Sequence, residues 1–467
     1  MTGQDTFRVR VREALADSRL RRTVLEATIE RDEKRREVWA ELPDVEGLRH
    51  LARRIRDHTL DNLDHYLSSL IDSFQRLGVH VHLASTAAEA NAAVIEIARQ
   101  YECGHAVKSK SMLSEELELN AALAQADIGV TETDLGEFLL QLDDDRPSHL
   151  TCPAVHKDIA SCAETFQRKL GVPYREDPKA LVGIARTTMR DIFRRADLAI
   201  TGVNCAVAES GTIVLVMNEG NGRFCLLRPR VHIALMGIEK VVPRPADAAV
   251  LLQLLGRSAT AQKLSVDTHF ITGPRRDGEI DGPEHMHVVI VDAGRSALLA
   301  GRYREVLRCI RCGACLNICP VYRCIGGHAY GGVYPGPIGK LLTGLLGAGA
   351  DADTLPHASS LCGACVEACP VEIDIPALLV AMRSDQPLRR RWRKKKVGLI
   401  RLAMRLMRTE RRYALAQRLL RQVLRFRAKD GWVSKAPFLT AGWTKARRDL
   451  PAAPARSFRD LWKEGRI

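Results

Sequence analysis

The stretch Cys309-Ile310-Arg311-Cys312-Gly313-Ala314-Cys315-Leu316-Asn317-Ile318-Cys319-Pro320 decides how the rest of the chain is read. Its C-x2-C-x2-C-x3-C-P spacing is the ligand run of bacterial ferredoxins. Three thiolates this close together wrap three corners of a cubane, and Gly313 lets the backbone pass near the sulfides. A shortened copy follows, Cys362-Gly363-Ala364-Cys365-Val366-Glu367-Ala368-Cys369-Pro370. In two-cluster proteins the fourth cysteine of each run reaches across to the other cluster. That rule assigns Cys309, Cys312, Cys315 and Cys369 to a first cluster, and Cys319, Cys362 and Cys365 to a second.

The second set is one thiolate short, because Ser359 stands where the copy would have its first cysteine. It is either a 3Fe-4S centre or a 4Fe-4S centre with a non-cysteine or external fourth ligand. Cys324 is near in sequence, but its spacing fits no ligand pattern. Structural zinc is the competing reading of paired C-x-x-C units; it calls for two pairs at knuckle spacing rather than a triplet followed by Cys-Pro.

Eight of the 13 cysteines fall between residues 309 and 369, while Cys103, Cys152, Cys162, Cys205 and Cys225 are scattered. This is no disulfide framework; it suits a reducing compartment with metal-bound thiolates. No apolar segment follows the N-terminus and no run of eighteen apolar residues occurs, so a cytoplasmic protein is expected. The net charge of +14 is unevenly placed: residues 383–467 hold 26 Lys and Arg against 6 Asp and Glu, or +20, leaving 44 against 50, or −6, for the remainder. The basicity therefore concerns what the tail touches.

Residues 1–60, rich in Arg, Glu and Leu, read as a helical N-terminal arm. From 61 to 297 short β-branched runs alternate with helical stretches. Strands are expected at Val79–Leu83, Ala106–Val107 and Ile128–Val130, with helices at Thr86–Tyr101 and Ser114–Ala126. Further strands are expected at Leu198–Ile200, Gly211–Val216, Val231–Leu235, His269–Ile271 and His287–Val291, and a helix at Ala246–Leu255. Such alternation means an α/β fold with a mostly parallel sheet wrapped by helices. Residues 298–385 form the helical cysteine-bearing domain and 386–467 a basic amphipathic extension. There Arg389–Lys396 is followed by a stripe of Leu399, Leu402, Leu406, Leu415, Leu419, Val423 and Phe426, bordered by Met407. Ala441–Ile467 is expected to be irregular.

Three loops gather polar residues where strand ends would place a pocket: Thr131–Glu137, Ala208–Thr212 and Asn218–Arg223. Glu132, Glu209, Glu219 and Arg223 are the candidate substrate-binding residues, Arg223 being able to meet a carboxylate. The competing reading of Asn218–Gly222 is a plain turn. Lys108-Ser109-Lys110-Ser111 is either an anion site at a helix start or a solvated loop. His156, His232, His285 and His287 read as hydrogen-bonded histidines rather than ligands. Pro337–Leu341 lacks the residues of a phosphate loop, and no G-x-G-x-x-G follows a strand to indicate flavin or nicotinamide.

Taken in order, Lys108–Met112, Glu132–Glu137, Gly202–Asn204, Asn218–Asn221, Cys309–Cys315, Gly326–Gly331 and Ser359–Cys365 resemble the lactate utilization protein B family, from about residue 60 to about residue 385. The resemblance implies a lactate-utilization (LUD) domain similar to the ribose-phosphate isomerase and CoA-transferase folds, followed by a helical two-cluster ferredoxin domain. It implies the iron-sulfur subunit of a three-part bacterial L-lactate oxidation system acting with two companion proteins, and cluster ligands at the seven cysteines named above. Cys324 is outside the family pattern. An electron-transfer subunit is the leading expectation, since two adjacent clusters pass electrons singly. The alternative, a chain that itself binds and oxidises a 2-hydroxy acid, lacks an organic hydride acceptor. A nucleic-acid-binding iron-sulfur protein is the third class. The aliphatic stripe of the tail suits an acidic partner or the inner membrane surface better, and no nucleic acid is expected.

Overall fold

Strand formation follows the β-branched runs. In the computed structural model, which describes residues 6–347, 351–385, 398, 401–405, 407–436, 443, 444 and 448–466, ten strands form in the first part of the chain. They are β1 (His80–Ala84), β2 (His105–Lys108), β3 (Gly129–Glu132), β4 (Leu198–Gly202), β5 (Cys205–Val207), β6 (Thr212–Met217), β7 (Val231–Gly237), β8 (Val241–Val242), β9 (Asp267–Ile271) and β10 (His285–Val291). Six of them make a wholly parallel sheet in the order β1-β10-β7-β4-β2-β3. The central strands β4 and β7 are buried along their whole length, so both faces carry apolar residues, broken by Thr201 and His232, which are 2.8 Å apart. One face packs Ile200, Ile233 and Val289 against Val94 and Ile97 of the helix Ala87–Gln100. The other packs Ala234, Met236 and Val288 against Leu70 and Phe74 of the helix Leu63–Arg76. A second sheet, β8-β5-β6-β9, is mixed, with β5 and β6 an antiparallel hairpin.

The expected helix Ser114–Ala126 divides into Met112–Glu116 and Leu119–Gln125 around Glu118, which is left-handed at φ +52°. Asn91 Nδ2 donates to the Leu117 carbonyl at 2.8 Å, replacing the helical bond at the break. Helices Leu135–Leu142, Ile159–Leu170 and Pro178–Arg195 were not expected, and they share a small core of Phe138, Ala163, Phe166 and Leu181. Two begin with a capping aspartate, Asp158 or Asp177, the latter followed by Pro178.

The chain divides into two units, Met1–Asp385 and Gln386–Ile467. Within the first, the N-terminal helices are packed under the cysteine region. Val24 of the helix Ser18–Ala40 is buried in one core with Leu316, Tyr322 and Ile325. From the helix Val45–Asp61, Arg49 donates to the Cys369 carbonyl at 3.1 Å and the Val366 carbonyl at 2.9 Å. One turn or two further on, Arg56 donates to the carbonyls of Val241 at 3.2 Å and Leu307 at 2.9 Å, and to that of Glu239.

In the second unit the helix Glu410–Arg427 leaves Leu415, Leu419, Val423 and Phe426 exposed. Residues 441–467, expected to be irregular, contain the short strand Leu450–Pro451, paired with Trp432–Val433, and the helix Phe458–Lys463. That helix starts on a reciprocal cap between Ser457 and Asp460. Arg389–Lys396, Leu399 and Leu406 lie outside the described residues. Among the described residues no helix is long and apolar enough to cross a membrane.

Candidate metal centre and the cavity beside it

The two cysteine runs share one backbone design. Before Cys312, the second cysteine of the first run, Arg311 is left-handed at φ +61°, and after it Gly313 is at φ +75°. In the second run Leu361 and Gly363 repeat this at φ +56° and +85°. Non-glycine residues seldom adopt such angles, so the repetition is a built feature. Each left-handed glycine starts a short helix, Ala314–Ile318 or Ala364–Glu367, that carries the next cysteine inward. At Gly313 a side chain would also strike His149, whose Cε1 lies 3.0 Å from the Cβ position.

The thiols of the two runs act on one another. Burial pushes the Cys312 thiol up, and Cys369 and Cys309 push it further. Cys315 is raised by burial and then by Cys312, Cys309 and Cys365; Cys369 is pushed up to about 11, by burial first and with Cys309 among the causes. Cys365 is raised to about 12 by burial, then by Cys319 and Cys362. Cys362 goes the other way, held down by the Ala364 backbone N–H and the Ser360 hydroxyl. Backbone N–H groups also meet sulfur: Arg311 N donates to Cys309 Sγ and Ile373 N to Cys369 Sγ, each at 3.4 Å. A set of seven converging thiols with N–H donors aimed at the sulfurs fits iron-sulfur clusters, whose sulfurs carry the excess negative charge. Cys324 is exposed.

Beside the first group lies a cavity of about 240 Å³. Its floor is the carboxyl edge of the parallel sheet, where ligands of open α/β sheets bind. Ser109 follows β2, Asp134 follows β3, Asn204 follows β4 and Lys240 follows β7. Met217 and Glu219, at the end of β6, form a second wall, and Ile310, Arg311 and Tyr334 from the cysteine region a third. Buried ion pairs brace this third wall: Arg295 meets Glu239 at 2.8 Å and Glu116 at 2.9 Å, and Tyr334 donates to Glu116 at 2.6 Å. Lys240 makes no hydrogen bond or ion pair among the described residues. Two buried polar atoms on the lining are also unmatched, Ser109 Oγ and Asn221 Oδ1. The second follows from its neighbours: Thr133 Oγ1 donates to the Lys108 carbonyl and so must accept from Asn221 Nδ2, at 3.1 Å, leaving the amide oxygen without a donor.

Comparison with known proteins accords with this arrangement. The LUD domain family model matches residues 67–291, and the 4Fe-4S dicluster domain model matches residues 305–373. Lactate utilization protein B of Shouchella clausii is 43% identical over 462 residues, 98% of this chain and 96% of that one. Its counterpart in Geobacillus kaustophilus is 44% identical with the same coverage. The chain belongs to the lactate utilization protein B family. An uncharacterized electron transport protein of Escherichia coli, YkgF, is 45% identical over 82% of this chain and 80% of that one. The crystal structure of a DUF162 family protein from Deinococcus radiodurans covers 49% of this chain and 98% of that one at 15% identity and a TM-score of 0.28, a likeness too slight to bear on the fold. In this member of the lactate utilization protein B family, the LUD part is thus the α/β layer and the dicluster part the helical one, and the family's cofactor is iron-sulfur.

The candidate substrate residues are dispersed. Glu219 lines the cavity, and its carboxylate accepts from Leu135 N at 3.0 Å. Glu132 is buried under the floor, 2.7 Å from Lys108 Nζ. Glu209 borders a separate surface depression with Arg244, and Arg223 is exposed. Of the three polar loops, then, the first and third meet at the cavity and the second does not. Asn218–Gly222 is a turn leading into the helix Asn221–Leu227, with Gly220 left-handed at φ +70°. Lys108-Ser109-Lys110-Ser111 is not a solvated loop: Lys108, Ser109 and Ser111 are all buried, because the segment forms the cavity floor between β2 and the helix Met112–Glu116.

His232 is buried and 2.8 Å from Thr201 Oγ1; His287 is 3.0 Å from His82, and His285 stacks on Tyr101. His156 joins Asp145 at 2.9 Å and meets His328 edge-on, a trio whose donor atoms lie within metal-binding reach of one another. Lys157 sits 3.4 Å from the same carboxylate, and His328 Nε2 donates to the Arg146 carbonyl, so the trio reads as a hydrogen-bonded seam between the LUD loop and the segment joining the cysteine runs. Spacing along the chain gave no hint of this trio, since His156 and His328 come from different domains.

Proposed function

We propose that this chain is the electron-transfer subunit of a multi-protein L-lactate oxidation system, relaying electrons through two iron-sulfur clusters as a component of the dehydrogenase. Cys309, Cys312, Cys315 and Cys369 hold the first cluster, and Cys319, Cys362 and Cys365 hold the second. The observation that carries the reading is the crossed grouping of the thiols. Cys369 of the second run acts on Cys312 of the first, while Cys319 of the first acts on Cys365 of the second. Crossed ligation places the two centres next to each other, and Cys315 and Cys365, one from each group, feel one another directly. The clusters supply one-electron acceptance when bound. The chain's own residues hold them apart from water, orient their sulfurs with backbone N–H groups and offer one partly open side at Cys362. The two companion proteins supply the centre that takes both electrons from lactate.

The test is iron and acid-labile sulfide per chain on anaerobically purified protein, with electron paramagnetic resonance of the reduced state. Two clusters' worth of iron and a pair of magnetically interacting signals are expected. Zinc in place of iron would overturn the reading.

A second reading, in which the chain itself binds a 2-hydroxy acid, is favoured by the cavity. An unpaired Lys240, an unmatched Ser109 hydroxyl and an unmatched Asn221 carbonyl suit a ligand with one carboxylate and one hydroxyl. Calorimetric titration of the full chain with L-lactate, repeated on Lys240→Met, tests it; heat that survives the substitution unchanged rejects the site. The basic tail, with its exposed Leu415, Leu419 and Phe426, is the surface for an acidic partner or the inner face of the membrane.

A further inference from the structure

The second cysteine group lacks a fourth thiol, and the first shows where the missing donor would stand. In the first run, Cys309 comes two residues before left-handed Arg311, whose backbone N–H donates to Cys309 Sγ at 3.4 Å. In the second run, Ser359 comes two residues before left-handed Leu361, whose backbone N–H donates to Ser359 Oγ at 3.2 Å. The glycines two residues further on are left-handed in both, and both lead into a short helix bearing the next cysteine. The hydroxyl oxygen therefore holds the place in its loop that the Cys309 sulfur holds in the other, with the same backbone group aimed at it.

The loop is also tied down. Arg383 donates to the Pro356 carbonyl at 2.9 Å and to the Ser359 carbonyl at 3.4 Å, anchoring the backbone just ahead of Cys362. The neighbouring Ser360 is engaged with Cys362. The hydroxyl of Ser359 accepts one N–H and keeps a lone pair and a proton uncommitted.

We propose that Ser359 Oγ is the fourth ligand of the second cluster, making it a 4Fe-4S centre held by Cys319, Cys362, Cys365 and one serine alkoxide. On binding, the hydroxyl loses its proton to solvent, an iron-oxygen bond forms in place of the O–H bond, and no electron moves. A metal ion lowers the pKa of a bound hydroxyl enough for this at neutral pH, as it does for bound water. An oxygen donor on one iron gives the second cluster electronic properties different from those of the all-thiolate first cluster.

The proposal rests on the reading of the cysteines as two clusters, and the experiment separates the two. Full-length protein, Ser359→Ala and Ser359→Cys are purified without oxygen and compared by iron content, by resonance spectra of the oxidised and reduced states, and by thermal unfolding. The parent is expected to show no oxidised-state signal of a three-iron centre. Ser359→Ala should lose iron from the second cluster alone and display that three-iron signal, with the first cluster's reduced-state signal intact. Ser359→Cys should keep the full iron content with a changed second-cluster spectrum. A parent that already carries a stoichiometric three-iron signal overturns the proposal, as does an alanine variant with the parent's iron and spectrum. Should Ser359→Ala not fold, an unchanged second-cluster spectrum in Ser359→Cys overturns it equally. Absence of iron from the parent would instead defeat the two-cluster reading itself.

Discussion

Three of the first group's four thiols, Cys312, Cys315 and Cys369, are buried and Cys309 is half-buried, whereas in the second group Cys362 is exposed, Cys365 is half-buried and only Cys319 is sunk into the core. The loops that carry them have the same backbone angles, so the difference does not come from local geometry. It comes from what is packed outside. The first group is roofed by His149 of the LUD domain, which lies against Gly313, and by Arg49 of the helix Val45–Asp61, which donates to the Cys369 carbonyl. The stretch Ser359–Cys362 has Arg383 behind it and solvent in front. One loop design thus gives an enclosed centre beside the cavity and an open one at the surface.

Four measurements press on that contrast. The largest effect is expected from removing a thiol on either side. Cys312→Ala should abolish the first cluster and, with it, complementation of growth on L-lactate, and should lower the thermal midpoint because a buried set of ligands is left without metal. Cys362→Ala should also stop growth but leave the first cluster's resonance signal in place and cost less stability; equal losses from both would erase the distinction. Next comes Arg49→Ala, which leaves the buried Cys369 carbonyl without its donor and should destabilise the protein by about 1–3 kcal/mol in urea unfolding.

Acid should also weaken the first group. Burial is the main cause that holds the His149 imidazole down at about 3, so the folded chain keeps it neutral while the unfolded chain protonates it near 6.5. The unfolded state therefore binds the extra proton between those values. Stability contributed by the neutral ring is present above pH 6.5 and lost as pH falls toward 3, by about 1.4 kcal/mol per unit. Urea unfolding at pH 7 and pH 5 reads this loss, which His149→Asn should flatten. The smallest effect belongs to Lys340, whose buried ammonium lies over Tyr330 and acts on Cys319, Cys365 and Cys315. Lys340→Met removes a positive charge beside the second cluster and should lower its reduction potential more than that of the first, measurable by redox titration of the two signals.

Much of this was legible along the chain because the signals are local. The cysteine spacing and the β-branched runs are short-range patterns, and the strands formed within a few residues of where Val79–Leu83, Val231–Leu235 and His287–Val291 placed them. What escaped was the product of distance. Glu132, Glu209, Glu219 and Arg223 look alike on paper, yet pairing with Lys108 buries the first, and the β5–β6 hairpin carries the second to another face. The cavity residues Lys240, Asn221 and Ser109 carry no motif. Their meaning appears only when three strand ends and the stretch Ile310–Arg311 are brought to one place. The helices around Phe166 and Leu181 escaped too, although Asp158 and Asp177-Pro178 are capping signals that mark where each begins.

The helix Val45–Asp61 crosses the boundary that the two domain matches draw. Arg49 serves carbonyls near the end of the second cysteine run, and Arg56 serves Val241 of the second sheet together with Leu307, just ahead of the first run. A fragment trimmed to the ferredoxin-like region would therefore keep all eight cysteines between residues 309 and 369 while losing the beam that spans both halves, its carbonyls turned to water. Studied alone, it would report the redox behaviour of an unroofed fragment, and its potentials would not transfer to the intact chain.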